Sequence, residues 1–91
     1  MDTEQRLQAI RERIDKALRP EELIVEDESH LHLGHEGAKD GRGHFRVFVV
    51  ADRFRDMSMI RRHRAIYDAL GELMTTEIHA LAIDAYSSDE I

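Results

Sequence analysis

The segment His44-Phe45-Arg46-Val47-Phe48-Val49-Val50-Ala51 reads as a β-strand, and the rest of the chain arranges itself around it. Phe45, Val47 and Val49 point one way, and His44, Arg46, Phe48 and Val50 point the other, because side chains alternate along a strand. Asp52 to Met57 is a short polar connection around Phe54. Ser58 then has the chemistry to cap a long helix that runs to about Met74. Met59, His63, Ile66, Leu70 and Leu73 form the apolar stripe of that helix, and Thr75-Thr76 breaks it. Ile78-His79-Ala80-Leu81-Ala82-Ile83 follows as a strand that is apolar on both faces, which predicts a buried position in the sheet. A strand, a helix and a strand in succession imply a parallel, right-handed crossover.

Upstream of this unit, residues 33–43 hold four of the five glycines and read as a flexible loop. Before it, Leu23-Ile24-Val25-Glu26-Asp27 is rich in β-branched residues and reads as another strand, joined to the first by a long-looped hairpin. Residues 2–19 read as a helix with Leu7, Ile10, Ile14, Ala17 and Leu18 on one face. Asp2 and Gln5 have capping-box spacing, and Pro20 ends the helix by disfavouring helical geometry at Arg19. The polar tail Ser87 to Ile91 is expected to fray. The order is α-β-β-α-β: a single α+β domain over residues 1–91, with helices packed on one face of a three-stranded sheet.

Composition narrows the function. With 91 residues, one domain is the default. Hydrophobic residues at 42% and charged residues at 35% suit a compact chain with a charged surface rather than a disordered one. No apolar run approaches the ~20 residues needed to span a bilayer, so no membrane role is expected. There is no cysteine, which excludes disulfide staples, a thiol nucleophile and a Cys-ligated zinc or iron–sulfur site made by this chain alone. The start Met1-Asp2-Thr3-Glu4 lacks the pattern of a targeting peptide, and a cytoplasmic protein is the simplest expectation. The net charge of −6 opposes strong non-specific nucleic-acid binding, although a local basic patch remains compatible with it.

Six histidines are an excess that asks for a chemical reason. His30, His32 and His35 lie close together. His30 and His32 have the same-face spacing of a strand, which opens the reading of a small zinc, copper or nickel site. Asp27, Glu28, Ser29 and His30 invite a catalytic-triad reading, but adjacent strand residues alternate faces and cannot converge. Ser29 has no nucleophile-elbow context, and the Gly34 and Gly37 spacing lacks the Lys-Ser/Thr ending of a phosphate loop. No enzymatic turnover is expected.

Asp27-Glu28-Ser29, His32, His44-Phe45, Phe54, Arg61-Arg62-His63-Arg64 and Ile78-His79-Ala80-Leu81-Ala82 together resemble the BolA family, in its order and spacing and over most of the chain. The resemblance implies an αββαβ fold related to the class II KH topology. It also implies pairing with a monothiol glutaredoxin around a bridging [2Fe–2S] cluster. The glutaredoxin and a bound glutathione supply thiolates, and the BolA side supplies histidines. Carried over by motif, these are His79 and His32, with His30 and His35 as alternatives for the loop position. The isolated chain is expected to carry no cluster and to be a monomer. Without the resemblance, His79 reads as a hydrogen-bonded core residue of an apolar strand. His63 and His44 read as structural. Where the family usually has Gly two residues after the Phe matched by Phe54, this chain has Asp56, and no Gly-x-x-Gly clamp occurs near the second helix.

Arg53, Arg55, Arg61, Arg62 and Arg64 form a local basic cluster, diluted by Asp52 and Asp56. It reads as a solvated helix face or as a contact for phosphate or a partner, and on the family resemblance the Arg61 to Arg64 segment would help dock the partner or its bound glutathione. Some BolA-like proteins are linked to transcriptional control, so a DNA-binding regulator that uses this region is the alternative function.

Overall fold

The computed structural model describes residues 1–32 and 41–91. Helix α1 (Thr3–Leu18) starts at a reciprocal capping box: Gln5 N–H donates to the Asp2 carboxylate at 2.8 Å, and Asp2 N–H to the Gln5 side chain at 2.9 Å. The helix stops where Arg19 turns left-handed at φ 49°, just before Pro20. Strands β1 (Glu22–Asp27), β2 (Gly43–Val50) and β3 (Ile78–Tyr86) form one mixed sheet in the order β1-β2-β3. β1 and β2 are antiparallel, as a hairpin requires, and β2 and β3 are parallel, as the helical crossover requires.

The register fixes the two faces. Leu23, Val25, Phe45, Val47, Val49, Leu81, Ile83 and Ala85 share the side that meets Ile10, Ile14 and Leu18 of α1 and Ile66 and Leu70 of helix α2 (Met59–Leu70). Ile24, His44, Arg46, Phe48, Ala80, Ala82, Asp84 and Tyr86 share the other side, which none of the described helices covers. On that side Arg46 joins Glu28, the residue just past β1, at 3.2 Å and Asp84 of β3 at 2.7 Å, linking all three chain segments across the sheet.

Five expectations change. β3 is an edge strand, not a buried one; β2 is central. The apolar character of β3 on its second face comes from Ala80 and Ala82, which are too small to demand burial. The second helix ends at Leu70 rather than near Met74, because Gly71 takes φ 55°; a short helix α3 (Leu73–Thr76) then returns Leu73 to the core. Thr75-Thr76 therefore belongs to a helical turn. The inward stripe of α2 is Arg62, Ile66 and Leu70, while Met59 is half exposed.

The tail does not fray over residues 87–90. Ser87 is buried and forms a capping box with Glu90 around a 3-10 turn, Ser88–Glu90. Arg62, only 5% exposed, holds that turn. It donates to both Glu90 carboxylate oxygens at 2.6 and 3.2 Å, to the Ala85 carbonyl at 3.2 Å and to the Met57 carbonyl at 3.0 Å. Its guanidinium carbon lies 5.9 Å from the centroid of the buried Phe54 ring.

The histidine end of the sheet

The candidate site is built where β2 and β3 begin. Gly43 pairs with Ile78 and His44 with Ala80, so His79 is an extra residue in the ladder. Plain alternation back from the core residue Leu81 would turn His79 toward the helices. The bulge instead puts Ile78 into the core and leaves His79 exposed. Gly43 N–H closes the pairing on the Glu77 carbonyl at 3.0 Å. Arg6 reaches over from α1 to Glu77 at 2.9 Å and to the Gly41 carbonyl at 2.6 Å. The Arg6 guanidinium holds the Glu77 carboxyl below the usual carboxylate range. The bulge is therefore braced from α1, and these contacts link residues more than thirty positions apart in the chain.

The neighbours of His79 come from β2. The His44 ring is buried, and its centroid lies 5.1 Å from that of His79, with the ring planes inclined at 44°. His44 N–H donates to Ser29 Oγ at 3.1 Å, and its carbonyl accepts from Glu28 N–H at 2.7 Å. Ser29 N–H in turn donates to the Asp27 carboxylate at 2.9 Å, a turn that ends β1. The Asp27-Glu28-Ser29 motif thus fixes the start of β2. Gly43 leaves no room for a side chain: a Cβ there would stand 2.6 Å from the Phe45 ring. Arg42 donates to His79 Nδ1 at 3.1 Å and to the Thr75 carbonyl at 3.3 Å. A depression of about 270 Å³ lies alongside, lined by Glu28, His44, Arg46, Ala80 and Ala82 among others.

The other candidate residues are placed as follows. His30 is exposed on a 3-10 turn, Ser29–His32. The spacing of His30 and His32 implies a shared face only on a strand, and the backbone over Ser29–His32 is a 3-10 turn. The His32 side chain and all of His35 lie outside the described residues, as does most of the glycine-rich loop. Among the described residues no group of three or more His, Asp or Glu could hold a metal ion. His63 is half-buried on α2, in keeping with a structural role.

The arginine cluster divides. Arg62 is buried in the fold and is withdrawn as a contact residue. Arg55 pairs with Asp52 at 2.8 Å and Asp89 at 3.5 Å. Arg53, Arg61 and Arg64 are exposed. Asp56 stands at φ 63°, a conformation that glycine adopts most easily.

Sequence reasoning passed over Arg42, Arg6 and Glu77, whose contacts depend on pairing between distant segments. The position of His44 beside His79 was legible only through the strand register.

The family profile described as BolA-like protein matches residues 14–90. The chain belongs to the BolA-like family. Among its relatives, Protein BOLA1, chloroplastic, of Arabidopsis thaliana is 40% identical over 90 residues, covering 96% of this chain and 56% of that protein. DNA-binding transcriptional regulator BolA of Escherichia coli is 42% identical over 85 residues, covering 89% of this chain and 78% of that one. The BolA domain of SufE1 from Arabidopsis thaliana superposes with a TM-score of 0.84 at 40% identity, over 100% of this chain and 99% of that one. This BolA-like chain spans 56% of chloroplastic BOLA1 and 24% of the Arabidopsis SufE-like protein 1. No described helix is long and apolar enough to cross a membrane.

Proposed function

We propose that this BolA-like protein is a non-catalytic accessory that pairs with a monothiol glutaredoxin in the cytoplasm to hold or pass on a [2Fe–2S] cluster. The observation that carries the reading is the bulge at the start of β3, which turns His79 out of the core on an edge strand of the sheet. A neutral imidazole is a good iron ligand, and histidine in place of thiolate on one iron raises the reduction potential. The donor set fits a shared cluster: the chain has exposed imidazole and no cysteine, so thiolates must come from the partner and its glutathione. His79 is the first ligand in this reading. His32 is the second, from the segment after β1, with His30 and His35 as alternatives.

The test mixes the protein with a monothiol glutaredoxin, glutathione, iron and sulfide, and records visible absorption and circular dichroism. A heterodimer spectrum distinct from that of the glutaredoxin alone, lost in His79→Ala, is expected. A spectrum unchanged by the substitution would overturn the assignment.

A second reading, direct DNA binding, is favoured by the name of the Escherichia coli relative and by the exposed Arg53, Arg61 and Arg64. Binding by these side chains would weaken steeply with salt, and the salt slope would fall by about one for each arginine removed. Affinity that is indifferent to salt and to these substitutions would end it.

A further inference from the structure

We infer that Arg42 is a positioning residue that caps His79 and must release it before the imidazole can take iron. Guanidinium nitrogens only donate hydrogen bonds. With Arg42 Nη2 at 3.1 Å, His79 Nδ1 is therefore the acceptor, and in the neutral ring the proton sits on Nε2. In that state the lone pair of Nδ1 is engaged by Arg42, and Nε2 has no lone pair to give. Coordination through Nδ1 would put the metal where Arg42 stands. Coordination through Nε2 would move the proton to Nδ1 and set an N–H against the N–H of the guanidinium. Metal-bound histidines normally direct their second nitrogen at an acceptor, such as a carboxylate or a carbonyl. Arg42 presents the opposite polarity. Both routes thus require Arg42 to leave.

The contact is built rather than incidental. Arg42 is half-buried, and a second guanidinium nitrogen donates to the Thr75 carbonyl at the end of α3. The adjacent backbone is held by the Gly43 N–H to Glu77 carbonyl bond and by Arg6 on the Gly41 carbonyl. The guanidinium therefore approaches His79 from a fixed direction. The consequence for loading rests on the glutaredoxin reading; the cap itself does not.

The experiment has two arms. In the first, the isolated protein is treated with diethyl pyrocarbonate at mildly alkaline pH, and modification of each histidine is followed by peptide mass spectrometry. The reagent reacts with an imidazole nitrogen that has a lone pair. Arg42→Met keeps the apolar stem and removes the donors. It should speed His79 modification by about 3- to 10-fold, the effect of removing one hydrogen bond, while His30 is unchanged. Arg42→Ala is the second variant, and an unchanged unfolding midpoint certifies either one as folded. Nitrogen-15 spectra of the wild-type ring should show Nε2–H and an accepting Nδ1. Equal His79 rates in wild type and both variants, or a proton on Nδ1, would overturn the cap.

In the second arm, cluster-loaded monothiol glutaredoxin is mixed with wild type and Arg42→Met, and the heterodimer spectrum is timed. Faster appearance in the variant supports release as a step. An unchanged rate beside faster labelling overturns that step. The absence of any heterodimer in either protein overturns the proposed function and the release step with it, and labelling still decides the cap.

Discussion

The two ends of the sheet treat their charged and titratable residues in opposite ways. At the start of β3, a histidine inside an apolar run is turned outward by a bulge. At its far end, an arginine inside a basic run is drawn inward and fixed by four hydrogen bonds to Glu90, Ala85 and Met57. The ends lie about 20 Å apart along the strand, from the rise per residue. Local sequence context pointed the wrong way in both places, because exposure is decided by pairing and packing partners that are distant in the chain. The histidine end turns an imidazole outward beside Arg42 and His44. The arginine end holds the C-terminal turn onto α2.

Substitutions sharpen this contrast. Arg62→Ala should destabilise the most, by about 3 kcal/mol, because it leaves buried carbonyls and Glu90 without their donor. Arg64→Ala, two residues away and exposed, should stay within about 0.5 kcal/mol. Chemical denaturation of both variants checks the pair, and equal costs would erase the distinction between buried and exposed arginines. At the histidine end, Gly43→Ala should cost about 1–3 kcal/mol, since the new Cβ meets the buried Phe45 ring in a packed core. Hydrogen exchange should show that loss concentrated in the first residues of β2 and β3.

Acid should loosen the arginine end. Arg62, followed by the Ser87 N–H, holds the Glu90 carboxyl at about 2 against an ordinary 4.5. A depressed folded value means that the contribution is complete above 4.5 and is lost as pH falls toward about 2. The gap in Tm between wild type and Glu90→Gln should be constant near neutrality and shrink through that window. A gap that stays constant to the acid end would remove Glu90 from the latch. The smallest effect belongs to Asp56→Gly. Relief of the left-handed backbone at φ 63° should raise stability by up to about 1 kcal/mol, seen as a higher denaturation midpoint.

Much of the fold was legible because it is local. Ile10, Ile14 and Leu18 recur at helical spacing, Asp2 and Gln5 sit at capping distance, and Phe45, Val47 and Val49 alternate, so α1 and β2 fall within a residue of their expected bounds. The family was legible because its motifs lie in order along the chain. His79 was singled out by motif alone; nothing in its spacing announced the bulge. Arg42 carries no periodic or motif signal and acquires a role only beside His79.

The sequence by itself determined the five main elements, their order, the parallel pairing of β2 with β3 and the family, since helical and strand periodicities and capping residues act over a few positions. Tertiary structure alone decided that β3 lies at the edge, that His79 faces out, that Arg42 covers its Nδ1 and that Arg62 is interior. Each of these depends on which distant groups meet, through register, a one-residue bulge and the satisfaction of buried polar atoms, and no local pattern encodes them.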